Sequence, residues 1–218
     1  MYIYIVRMKR IFCIAQLLCC ILWLTSCVKE NDGSWDPYYN WQARNAAWYE
    51  QIADSARSAI AQAKAQYPNG EDWKAHCQWR MERSLQRSEF VGGPVTDSIC
   101  IHIRQMGTDT ISPLYTDTVG ICFRGWTMQT EYEGPSDTRI TSMGMFTQTF
   151  TGAYSPQTAR PQKMLVSSTV EGFSTALQYM VKGDVWDVYI PQQLAYGEKA
   201  SSTIPAYSTL LFRIYYVE

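Results

Sequence analysis

At 218 residues the chain has room for one domain of moderate size with extensions. A composition of 46% hydrophobic and 18% charged residues is globular rather than disordered. The formal net charge of −1 offers no basic field to a phosphate backbone, which argues against a nucleic-acid partner.

The first 27 residues read as a leader. Arg7, Lys9 and Arg10 precede or flank the run IFCIAQLLCCILWLTSC, the charged and apolar regions of a bacterial secretory signal. Leu24-Thr25-Ser26-Cys27 resembles the lipobox of bacterial lipoproteins, in which the cysteine becomes the lipidated first residue after cleavage. The apolar run from Ile11 to Leu24 is about 14 residues, short of the ~20 of a spanning helix. The expectation is a signal over residues 1–27, a lipid anchor on Cys27 as the membrane partner, and a cell-envelope location, periplasmic or at the surface. Residues 28–36, VKENDGSWD, form a polar tether. Of the seven cysteines, Cys77, Cys100 and Cys122 remain for the folded part, an odd set with one pairing, Cys100 with Cys122, set against free thiols. His76 and His102 are the only histidines and no CxxC occurs, so no zinc site is expected, and no other cofactor.

From Pro37 the pattern turns helical. Tyr49, Ile52, Ala53, Ala56, Ile60, Ala63 and Tyr67 recur at helical spacing, with Glu50, Asp54, Arg57 and Lys64 opposite. Asp36 before Pro37 suits an N-cap followed by proline in the first turn. Pro68-Asn69-Gly70 ends the helix. An alanine-rich stripe suits a close neighbour: the chain's own domain, a following helix, or a second copy through residues 37–67, the first being favoured. Residues from Glu71 to about Arg87 are expected to continue as helix, on the spacing of Trp73, Cys77, Arg80-Met81 and Leu85. Trp41, Trp48, Trp73 and Trp79 would anchor these helices to a neighbouring sheet. Gly92-Gly93-Pro94 marks a boundary, dividing a tether and helical extension (28–93) from a second domain (94–218).

Beyond that boundary the period is two. Ile99, Ile101 and Ile103 alternate with Cys100 and His102, and Val119, Ile121 and Phe123 alternate after a Gly/Pro loop. His102 falls among the outward positions and is read as a solvated strand residue. A polar excursion from about Met128 to Arg139 precedes Gly144-Met145-Phe146. Phe173, Ala176, Leu177 and Met180 define one face of a short helix that stops at Lys182-Gly183. Two alternating strands follow, Val185–Ile190 and Ser208–Val217, joined through Leu194-Ala195-Tyr196-Gly197 and a polar loop. The expected class is α+β, an antiparallel curved β-sheet wrapped around one short helix, with an N-terminal helical extension.

The run GFSTALQYMVKGDVWDVYIP, then QQLAYG, then IPAYSTLLFRIYYVE is similar to the C-terminal half of FKBP-type peptidyl-prolyl isomerases. That family's pattern reads V-I-x-G-W/F, a helix ending in glycine, a strand, P-x-x-L/Y-A-Y-G and I-P-x-x-(S/A)-T-L-x-F. Upstream, Ile121-Cys-Phe-Arg-Gly125 resembles its V-H-Y-x-G strand and Met145-Phe-Thr-Gln-Thr-Phe150 its F-D-x-S-(Y/F) segment. The resemblance implies an apolar pocket for proline-containing polypeptides, acting on X-Pro bonds. It implies that Tyr196 offers a hydroxyl to a ligand carbonyl, with Phe146, Phe173 and Phe212 as catalytic walls. Phe123, Thr147, Ile204 and the Val170 amide would complete substrate binding. Three positions depart from the family. Thr147 stands where an acid is usual, Phe123 where tyrosine is common, and Pro161–Val166 lacks an aromatic pair. These departures keep a second expectation open, a non-catalytic FKBP-like module that holds proline-containing or unfolded chains.

Overall fold

Helix α1 (Trp41–Gln66) opens the folded part of the protein, seen in a computed structural model that describes residues 36–88, 93–133 and 139–218. The expected leader, Cys27 and nearly all of the tether lie outside the described residues. The helix begins later than the Asp36–Pro37 signal predicts. Residues 37–40 form a turn instead, held by the Arg44 guanidinium donating to the Pro37 carbonyl at 3.0 Å. Asn40, at φ 51°, supplies the left-handed entry. The helix ends where expected: the Tyr67 N–H closes on the Ala63 carbonyl at 2.8 Å, and Gly70 turns the chain at φ +57°.

The next stretch corrects the sequence reading. Only a single helical turn forms, α2 (Trp73–His76), and Trp79–Arg83 is a strand, β1. Cys77, Arg80, Met81 and Leu85 are therefore not on a helix. β1 pairs antiparallel with β2 (Ser98–Gln105) from Trp79↔His102 to Arg83↔Ser98. The backbone groups of β2 need a partner on that side, and satisfying them outweighs a weak local helical preference.

The remaining strands are β3 (Thr118–Glu133), β4 (Arg139–Gln148), β5 (Gln162–Leu165), β6 (Val185–Ile190) and β7 (Leu210–Tyr216). All pairings are antiparallel, in the order β1-β2-β6-β7-β3-β4, with β5 beside the first half of β3. The polar excursion after Met128 is thus no loop over most of its length. It continues β3 and returns as β4, paired from Arg124↔Gln148 to Glu133↔Arg139.

One face of the sheet wraps helix α3 (Glu171–Tyr179), as the class predicted. Phe173, Ala176 and Leu177, with Met180 just past the helix end, meet Ile99, Ile101, Val188, Ile190, Leu210, Phe212 and Ile214, most of them fully buried. Close approach is possible because Gly172 lacks a side chain: a Cβ there would fall 2.4 Å from Ile190 Cγ2. Gly183, at φ +91°, turns the chain from α3 into β6.

The other face carries α1. Tyr49, Ala53 and Ala56 pack on Cys100 of β2, so the alanine stripe is spent within the chain. Trp48 meets Tyr189 edge-on at 6.0 Å, Trp79 lies on His102 at 4.7 Å, and the Trp41 indole N–H donates to Ser208 Oγ at 3.0 Å. Trp41 and Trp48 anchor α1 as expected, whereas Trp79 belongs to β1 and so lies within the sheet. On this face the buried Asp187 carboxylate accepts from Arg104 at 2.7 Å and from Arg213 at 2.6 and 2.8 Å, which raises the Arg213 pKa.

Cys77, Cys100 and Cys122 are free and buried. The Cys100–Cys122 pairing is excluded by topology, because β6 and β7 lie between β2 and β3. Burial among apolar groups pushes the Cys100 thiol up to about 11. Among the described residues, no helix is long and apolar enough to cross a membrane.

Candidate functional site

Phe212 is the centre from which the site is built. It lies in the middle of β7, whose alternation sends Leu210, Phe212, Ile214 and Tyr216 to the core face. Three other rings meet it at steep angles: Phe173 at 4.8 Å, Phe146 at 5.5 Å and Phe123 at 6.2 Å between centroids. Edge-to-face contacts of this kind favour fixed ring positions. Together these rings form one wall and the floor of an open cavity of about 610 Å³.

Phe123 is placed by β3 and held where β4 gives out. Its N–H donates to Thr149 Oγ1 at 2.9 Å, and its carbonyl accepts the Thr149 N–H at 3.0 Å. Phe146 and Thr147 pose a geometric problem, since adjacent strand residues normally point to opposite faces. Both line the cavity nonetheless. A bulge explains this: Gly125 pairs with Thr147 and Trp126 with Met145, leaving Phe146 as an extra residue that turns towards Phe212. Gly125 gives this arrangement room. A Cβ there would stand 2.7 Å from Phe212 Cε1 and from Thr147 Cγ2, and 2.8 Å from Phe146 Cζ.

The opposite rim comes from α3 and the loops. Val170 is the N-cap of α3, and its carbonyl accepts from the Phe173 and Ser174 N–H groups at 2.9 and 3.0 Å. Its own N–H has no backbone acceptor among the described residues, as expected of the end of a helix. Tyr196 is 44% exposed at the mouth, and its hydroxyl has no partner among the described residues. Gly197, at φ +60°, and its N–H donating to the Gln192 carbonyl at 2.9 Å fix that corner. Ile204, 6% exposed, closes the far side.

All eight residues singled out in the sequence, Phe123, Phe146, Thr147, Val170, Phe173, Tyr196, Ile204 and Phe212, line this one cavity. Met164, Ser168, Thr169, Ser201 and Thr203 line it too and were not singled out. Met164 stands in the segment that lacks the family's aromatic pair, so composition gave no pointer to it. Ser201 follows from local chemistry: its hydroxyl accepts from the Ile204 N–H at 3.0 Å and shapes the loop. Among the described residues, no Asp, Glu, His, Lys or Arg lines the cavity. It offers hydroxyls and the free Val170 N–H at the rim, and aromatic and aliphatic surface below.

A family description, FKBP-type peptidyl-prolyl cis-trans isomerase, matches residues 116–217, just under half of the chain. The chain is similar to the FKBP-type 22 kDa peptidyl-prolyl cis-trans isomerase of Escherichia coli strain K12, 41% identical over 59 residues, covering 27% of this chain and 29% of that protein. It is similar to the outer membrane protein MIP of Legionella longbeachae, 36% identical over 59 residues, covering 27% and 25%. It also resembles the peptidyl-prolyl cis-trans isomerase Mip of Coxiella burnetii, 36% identical over 56 residues, covering 25% and 24%. The chain thus spans between 24% and 29% of these relatives' length. A solved peptidyl-prolyl cis-trans isomerase from Pseudomonas syringae pv. tomato superposes with a TM-score of 0.43 at 20% identity, covering 78% of this chain and 93% of that one. The family match takes in β3 to β7, α3 and every residue of the cavity. Residues 116–217 are therefore similar to an FKBP-type peptidyl-prolyl cis-trans isomerase domain, and α1, α2, β1 and β2 precede the matched stretch.

Proposed function

We propose that the chain is a peptidyl-prolyl cis-trans isomerase acting on X-Pro bonds of exported polypeptides. The observation that carries this reading is the convergence of eight side chains from separate segments on one uncharged, aromatic cavity. Rotation about an X-Pro bond has a barrier of about 18–20 kcal/mol and takes tens to hundreds of seconds unaided. No covalent bond breaks, so no nucleophile is required. The twisted amide has less dipolar character than the planar one, and an apolar pocket favours it relative to water.

In this site the prolyl ring would sit against Phe212, Phe146 and Phe173. The Val170 N–H and the Tyr196 hydroxyl would donate to carbonyls flanking the twisting bond. A thousandfold acceleration needs about 4 kcal/mol of differential stabilisation, which a few such donors and desolvation supply. The test is a proline-limited isomerisation assay on the full chain with short X-Pro peptides. At least a hundredfold acceleration over the thermal rate at saturating enzyme is expected, and the thermal rate itself would remove the enzymatic claim.

Thr147 and Phe123 favour a second reading. Neither brings the charge or hydroxyl usual at its position, and both line the cavity. A module that holds proline-containing or unfolded chains without turning them over would suppress client aggregation equally well as Tyr196→Phe. An isomerase would lose rate in that variant.

A lipid-anchored, envelope-facing form is part of the proposal. It rests on the Leu24–Cys27 motif and on the Legionella relative being named an outer membrane protein. Mass spectrometry of the mature N-terminus should find a diacylated Cys27, lost in Cys27→Ser. An unmodified N-terminus would rule out the anchor.

A further inference from the structure

Two walls of the cavity are supported by side chains that precede the family match, which begins at residue 116. Directly after β1, residues 84–87 form a turn in which the Arg87 N–H donates to the Ser84 carbonyl at 3.2 Å. This turn lies on the first turn of α3. Arg87 grips both carboxylate oxygens of Glu171, Nε to Oε1 at 2.7 Å and Nη2 to Oε2 at 3.0 Å. The Ser84 hydroxyl adds a donation to Oε1 at 2.6 Å, and the Gln86 amide donates to Ser174 Oγ at 3.1 Å. The same Arg87 Nη2 also donates to the Gln193 carbonyl at 3.0 Å.

The partners' places in the chain make the arrangement informative. Glu171 directly follows Val170. Gln193 belongs to the one-turn helix Gln192–Leu194, whose Gln192 carbonyl fixes the corner bearing Tyr196. One guanidinium therefore joins the segment presenting the Val170 amide to the segment presenting the Tyr196 hydroxyl. Its planar fork can meet a carboxylate bidentately and reach a third acceptor, which an ammonium cannot reproduce. The Arg87 and Glu171 side chains are 38% and 21% exposed, so as a stability device the pair is worth little. Its consequence is geometric.

We propose that Arg87 is a positioning residue that sets the separation of the two hydrogen-bond donors across the cavity. The proposal rests on the isomerase reading for its kinetic effect. The geometric claim is separable from that reading, because it is measurable without turnover. A misplacement on the scale of 1 Å in a donor can cost up to ~100-fold in rate.

The experiment compares Arg87→Ala, Arg87→Lys and the full wild-type chain. Arg57→Ala, which removes an exposed ion pair with Asp54 on α1, is the control. Arg87→Ala should lose about tenfold in kcat/KM, mostly in kcat, at a temperature where all variants are fully folded. Arg87→Lys should recover only part of that loss, and Arg57→Ala should match wild type. Without substrate, the Phe173, Ser174 and Gly197 amides, which hold the two walls, should exchange with solvent at least fivefold faster in Arg87→Ala. Unchanged exchange at all three, or equal kinetic losses in Arg57→Ala and Arg87→Ala, would overturn the proposal. If wild type shows no turnover, the isomerase reading falls and the exchange rates alone decide the role of Arg87.

Discussion

Tyr196 and Phe212 stand at opposite ends of a scale of exposure, and their substitutions should separate chemistry from packing. Tyr196 is 44% exposed and its hydroxyl bonds to nothing else described, so Tyr196→Phe should leave Tm within a degree of wild type. Its kcat/KM should fall three- to tenfold, the value of one hydrogen bond to a developing polar group. Phe212 is 5% exposed and touches three rings, so its truncation would report mainly the loss of the core. At residue scale the site was legible through the resemblance to the FKBP-type pattern, which singled out Phe212, Phe173 and Tyr196; strand alternation alone places only Phe212, since Phe173 is on α3 and Tyr196 in a loop. The joint use of Phe146 and Thr147 was expected from the resemblance only, because period-two alternation places just one of two neighbours on a given face. The bulge that reconciles them leaves no signature in composition.

At the scale of elements, the β3–β4 hairpin shows what a pocket demands of its framework. Gly125 lies beneath Phe146, Thr147 and Phe212, and a methyl group there must displace at least one of them. Gly125→Ala should destabilise the fold by about 1–3 kcal/mol and weaken binding of a proline peptide, as measured by urea unfolding and by titration. Unchanged values for both would show that the rings yield without cost. The outer half of this hairpin was read as a polar excursion because it lies beyond the end of β7, with no core to impose alternation. β1 was misread for the opposite reason. Its apolar residues fit a helical spacing as well as a strand's, and five residues are too few for periodicity to decide. Within β1, burial raises the pKa of Glu82. A carboxyl that holds its proton more tightly in the folded state contributes most below the unfolded value, about 4.3, and that contribution is lost as pH rises through the folded value. Glu82→Gln should therefore raise Tm at pH 7 and leave it unchanged near pH 3. An identical shift at both pH values would mean that packing, rather than charge burial, is responsible.

At the scale of the whole molecule, the N-terminal extension and the stretch matched by the FKBP-type description share one sheet. Removing residues 37–83 would strip the edge of β2 and uncover Cys100 and Tyr189, so the extension is part of the fold rather than an appendage. That integration predicts silent thiols. Cys77, Cys100 and Cys122, none more than 6% exposed, should resist a thiol reagent in the native protein and react fully in denaturant. Rapid native labelling of Cys100 would mean that α1 detaches readily from the sheet.

The strand order has a consequence for how the chain comes to be folded at all. β6 and β7, the centre of the sheet, are made of the final thirty-four or so residues, while their neighbours β2 and β3 emerge far earlier. Synthesis from the N-terminus thus yields an α1, a β1–β2 pair and a β3–β4 hairpin that have no common core until the last strand leaves the ribosome. A chain built this way closes its core only when β6 and β7 take their places between β2 and β3.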